Sequence, residues 1–177
     1  MLQFMLSEYS SLRDEILRRA GHRITLLVTS LTISAAVIGI AVERESSDLL
    51  LVVPVIAVLF GLLVLFHHVI IYIIADYIRK NLEASLKEAF PDLKGWQSSR
   101  APAPAHARSA LSNWHFPMMA ATLVPTLLAL GLSLTFPGRV TTTVILLIVD
   151  VAALSFYLVQ YIRYMLRGFA TESKWPS

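Results

Sequence analysis

The chain has 177 residues, 56% of them hydrophobic and only 15% charged, with a mean hydropathy of +0.65. This is more apolar surface than one small soluble core can hide, so lipid must cover the remainder. The absence of cysteine excludes a disulfide framework, a thiolate metal site and a cysteine nucleophile, and seven scattered glycines leave no loop to cradle a nucleotide phosphate.

Residues 1–23 read as a cytoplasmic amphipathic helix. From Ser7 to Arg23, Leu12, Ile16 and Leu17 share one side, and Asp14/Arg18 and Glu15/Arg19 stand at i,i+4 spacing. The expectation is that it lies along the membrane or packs on a neighbouring subunit. Residues 24–75 form a first transmembrane hairpin, with spans from Ile24 to Val42 and from Leu49 to Ala75, each long enough to cross a hydrocarbon core that takes about 20 helical residues. Gly39-Ile40-Ala41 has the form of a signal cleavage site, but the apolar run and the charged segment before it are both too long for a signal sequence.

Residues 76–115 comprise a cytoplasmic helix and a flexible linker. Span two has no stop signal at Ala75, and Ile78, Leu82, Leu86 and Phe90 keep helical spacing until Pro91. From Gln97 to His106 the composition is that of a linker. Residues 116–162 form a second hairpin, with spans from Phe116 to Phe136 and from Val140 to Ile162 joined by a tight reversal at Pro137-Gly138. Residues 163–177 are a cytoplasmic tail. Thirteen of the fifteen Lys and Arg residues fall in the first, third and last segments, and only Arg44 and Arg139 in the two short turns. The positive-inside rule then puts both termini and the long loop in the cytoplasm. The fold class is all-α: a polytopic protein of four spans, with span two extended as a cytoplasmic helix.

Asp150 is the first candidate for function. It sits among Leu146, Leu147, Ile148, Val149, Val151 and Leu154, where a carboxylate costs roughly 2.5 to 3.5 kcal/mol on insertion scales. Thr143, Tyr157 and Tyr164 follow at seven-residue spacing, so one side of span four carries a polar stripe. The stripe reads either as a pore, ion or proton site, or as a protonated Asp tying helices together. His67 and His68 are the second candidate. Aligned on the similar exits Tyr77-Ile78-Arg79 and Tyr161-Ile162-Arg163, His67 falls at the depth of Asp150; counted from the outer turns, it does not. Adjacent histidines diverge by about 100° on a helix, so no metal site is expected. Pro54 and Pro125 are candidate hinges. Arg18, Arg19, Arg23, Arg79, Lys80, Arg163 and Arg167 form a basic ring for an anionic ligand or for lipid headgroups. No catalytic constellation and no cofactor site is present, so no enzyme is expected.

The opening run from Glu8 to Arg19 leading into span one, and the long helical exit of span two, resemble the small four-span membrane effectors of bacterial anti-phage defence, including the Hailong type. That resemblance implies a homo-oligomer, a tetramer by preference, in the bacterial inner membrane. A cytoplasmic nucleotide, oligonucleotide or soluble partner protein would hold it closed, and infection would open it. The alternatives are a non-conducting scaffold that recruits a soluble partner, or a small proton-coupled transporter.

Overall fold

The computed structural model describes residues 2–90, 92, 105–136 and 140–172. Every element among the described residues is helical, with no strand: α1 (Leu2–Glu43), α2 (Ser47–Leu50), α3 (Val52–Tyr77), a π-helical segment (Ile78–Glu83), α4 (Ala84–Ala89), α5 (Ala105–Ser133) and α6 (Val140–Glu172). Most of the expected linker, from Gln97 to Pro104, and the tail from Ser173 lie outside them. Helix α5 begins at Ala105, well before the expected span at Phe116, where Ala105, Ala107 and Ala110 supply strong helix formers.

Three helical stretches are long and apolar enough to cross a membrane: Gln3–Glu43, Ser47–Glu88 and Thr141–Tyr164. The described apolar part of α5, Met118–Ser133, is shorter. Helix α1 is a single element of 42 residues, about 63 Å long, roughly twice the thickness of a hydrocarbon core. The amphipathic stretch from Ser7 to Arg23 is therefore continuous with the first span, because no glycine pair, proline or cap interrupts the chain between Arg18 and Leu26.

The chain divides into two compact units. Unit 1 comprises residues 1–25 and 66–116; unit 2 comprises 26–65 and 117–177. Unit 2 inverts the pattern of a soluble protein. Ser30, Ser34, Thr122, Thr126, Ser133 and Asp150 are buried, while Val28, Leu31, Leu59, Leu63, Val124, Leu127, Ile148 and Val151 are exposed. Apolar side chains turned outward and hydroxyls turned inward suit a helical bundle whose solvent is lipid, where small polar residues mediate helix contact.

Helix α1 ends in a Schellman motif. The Ser46 N–H donates to the Ala41 carbonyl at 3.0 Å and the Glu45 N–H to that of Val42 at 3.2 Å, with Glu45 at φ 49°. A left-handed conformation is costly for a residue with a Cβ and is the usual place for glycine. Glu45→Gly is accordingly expected to stabilise the protein by about 1 kcal/mol, read as a higher melting temperature in detergent.

The break between α2 and α3 has a covalent cause. Pro54 has no N–H to offer the Leu50 carbonyl four residues back, and the helix is interrupted at Leu51. Pro54 thus stands in the first turn of α3, where its missing donor would be unpaired in any helix.

Candidate functional site

Contacts within unit 2 fix the register of its helices. The Thr143 hydroxyl donates to the Asp48 carboxylate at 3.3 Å, and Val58 and Leu65 cluster with Tyr157 and Tyr161. Helices α3 and α6 therefore run parallel, with residues at one level about 95 positions apart in sequence. Helix α5 runs antiparallel to α3: Ala129 packs with Val53 near one end, and Thr122 meets Gly61 further in. Asp150, midway between Thr143 and Tyr157, falls level with Pro54. This is the register counted from the outer turns. The alternative built on the two Tyr-Ile-Arg exits would need His67, thirteen residues further along α3, at that level.

Gly61 is the point of closest approach. A Cβ built there would lie 2.7 Å from Thr122 Oγ1, 3.0 Å from Thr122 Cγ2 and 3.0 Å from Tyr157 Cε2. Three helices meet over this missing side chain, and the hydroxyls of Tyr157 and Thr122 are hydrogen-bonded there. One turn away the Thr126 hydroxyl donates to the Thr122 carbonyl at 2.7 Å. Pro125, also buried, withholds the donor that the Ala121 carbonyl would take in a regular helix.

Asp150 is 1% exposed, and neither of its carboxyl oxygens has a hydrogen-bond partner among the described residues. The buried Ser34 hydroxyl of α1 is likewise without one. Buried polar atoms are nearly always paired, so an orphaned carboxyl enclosed by the chain's own helices is the strongest local anomaly in the molecule. The stripe expected on α6 is real in its inward turn: Asp150 and Tyr157 are buried and Thr143 is half-buried, whereas the neighbouring outer face presents a shallow apolar groove lined by Val144, Leu147, Ile148, Val151 and Ala152.

Five residues of the basic ring, Arg18, Arg19, Arg23, Arg79 and Lys80, are paired with side chains of unit 1. In unit 1, Glu15 Oε1 accepts from Arg19 at 2.6 Å, and its other oxygen lies 3.5 Å from Arg18. Asp76 takes Lys80 at 2.7 Å and also Arg79. Pairs this exposed contribute roughly 0.2 to 1 kcal/mol each, so they order side chains more than they stabilise the fold. Arg23 Nη1 donates to Nδ1 of His68 at 2.7 Å, and the rings of His22 and His67 stand 6.0 Å apart. Further along the same pair of helices the Tyr77 hydroxyl donates to Glu8 at 2.9 Å. Arg163 is exposed, and the side chain of Arg167 lies outside the described residues.

The chain matches no protein-family model, no curated protein and no solved structure. Function must therefore be argued from these geometries.

Several participants escape a reading of the sequence. The pairing of His22 and Arg23 with His67 and His68 joins residues some 45 positions apart, and only the antiparallel course of the two helices brings them together. The π-helical segment, which holds Arg79 and Lys80, carries no sequence signal of its own, although such segments recur at functional positions. Gly61 is visible only as one half of a small-residue pair with Ala57.

Proposed function

We propose that this chain is a four-span protein of the bacterial inner membrane, with both termini in the cytoplasm, that assembles as a homo-oligomer, as a tetramer, and acts as a channel or membrane-disrupting effector in anti-phage defence. The observation that carries the reading is Asp150: an orphaned carboxyl inside a bundle whose outer surface is apolar. Intramembrane carboxyls are costly and typically mark ion or proton pathways. With the stripe enclosed by the chain's own helices, the arrangement is that of a closed state. Conduction requires the helices around Asp150, Tyr157 and Thr143 to part and admit water.

The fourth crossing is completed by the Met118–Ser133 stretch with the residues flanking it. Orientation follows from the basic residues, thirteen of fifteen of which fall in the segments assigned to the cytoplasm. There the charged contacts between α1 and α3 are the parts a cytoplasmic signal can reach. An anionic nucleotide, an oligonucleotide or a soluble partner protein would act through Arg18, Arg19, Arg23, Arg79 and Lys80. Pro54 and Pro125 mark the two places where a missing backbone donor lets a helix bend.

Enclosure of Asp150 within one chain favours a second reading, a small proton-coupled transporter, since a carrier needs no shared axis. Reconstitution into potassium-loaded liposomes separates the two. The channel reading expects release of potassium at a rate that rises with protein oligomerised in the membrane. Intact gradients, combined with substrate counterflow that depends on Asp150, would replace it with the transporter.

A further inference from the structure

We propose that the facing surfaces of α1 and α3 in unit 1 form a binding site for a phosphate oxyanion, with Arg19 and His67 as its direct hydrogen-bond donors. Two buried nitrogens of this helix pair lack a partner, Nε of Arg19 and Nδ1 of His67. They belong to one neighbourhood: the His67 ring stands 6.0 Å from that of His22, and Arg19 lies three residues before His22 on the same face of α1. A guanidinium N–H and an imidazole N–H, the latter in the tautomer protonated at Nδ1, are both donors, and a phosphate oxygen is the acceptor that satisfies both.

The local charge agrees. Helix α1 brings Arg19 and Arg23 with one carboxylate, Glu15, which already binds Arg19 through the terminal nitrogen Nη2 and leaves Nε–H for another acceptor. Helix α3 brings His67 and His68 and no acid nearer than Asp76, which is held by Arg79 and Lys80. One turn along α1, Arg23 donates to His68 and adds a second guanidinium to the same pair of helices. A guanidinium suits this role better than an ammonium because its donors are fixed in a plane.

Phosphate reaches such a site from two sources, a lipid headgroup or a soluble phosphate compound. The lipid source rests on placing unit 1 at the cytoplasmic surface; the soluble source does not. Neither requires that the protein conduct ions.

The test uses the full chain in dodecyl maltoside micelles, which carry no phosphate, with isotope-labelled histidine, the His67 resonance being identified by its loss in His67→Gln. Inorganic phosphate is titrated at fixed pH against chloride of equal ionic strength, and in a parallel series phosphatidylglycerol is added to the micelles. The expected result is a saturable shift of the His67 signal that chloride does not reproduce. Arg19→Lys, which keeps the charge but removes Nε–H, should raise the half-saturating concentration about tenfold, the effect of one charge-assisted hydrogen bond. A response to inorganic phosphate supports a site open to soluble ligands, and a response to phosphatidylglycerol alone supports a headgroup site. If neither source moves His67 beyond chloride, or if Arg19→Lys responds like the wild type, the site does not exist.

Discussion

Asp150→Leu is expected to raise the melting temperature of the detergent-solubilised protein and to abolish potassium release from liposomes. Leucine is branched at Cγ like aspartate, so it keeps the shape of the side chain without a polar atom, although its two methyl groups are larger than the carboxyl oxygens. The carboxyl it replaces is 1% exposed with both oxygens unpartnered. A buried polar group without a partner costs about 1 to 3 kcal/mol, and more if charged, and the substitution recovers that amount less any strain from the larger methyl groups. Groups held at a cost to stability are typical of functional sites. Asp150→Asn, which keeps the shape and loses only the ionisable proton, should leave the melting temperature nearly unchanged and still lose release. If Asp150→Leu melts lower than the wild type, the carboxyl is instead a structural tie within the bundle.

Gly61→Leu is expected to destabilise the protein by about 3 kcal/mol, the upper end of what overpacking a tight core costs. Even the Cβ of Gly61→Ala meets Thr122 Oγ1 at 2.7 Å and Tyr157 Cε2 at 3.0 Å. Thr122 is branched at Cβ and cannot move aside without giving up its hydrogen bond to Tyr157. Alanine gains about 1 kcal/mol over glycine in helix propensity, which offsets part of the clash, so Gly61→Ala should cost about 1 kcal/mol. Thermal melting of the three proteins in one detergent measures the series. The expected order is wild type, then Gly61→Ala, then Gly61→Leu. Equal melting of all three would mean that α3, α5 and α6 do not meet at this residue.

Helical periodicity and long apolar runs made the all-helical architecture legible, because lipid forces every backbone donor to be paired within its own helix. The inward turn of Asp150 and Tyr157 was also legible from their seven-residue spacing. The depth of His67 was not. The repeated Tyr-Ile-Arg exits gave a register that the Asp48 to Thr143 hydrogen bond and the Gly61 to Tyr157 contact do not share. Local motifs at an interface are selected for their chemistry and need not mark equal depth. Nor were the intrachain partners of residues 1–23 legible. Their amphipathic pattern suits a helix lying on a membrane as well as one packed on another helix, and only the contacts of Glu8 with Tyr77 and of Arg23 with His68 distinguish the two. The break at Leu51 was legible in principle, since it follows from Pro54 alone.

If the bundle opens a water-filled path past Asp150, unitary currents across a planar bilayer will report it. Discrete current steps are expected from the wild-type protein and none from Asp150→Leu, although the variant inserts and melts at a higher temperature. A wild-type preparation of folded oligomers that never passes current, or an Asp150→Leu protein whose current steps equal those of the wild type, would contradict it.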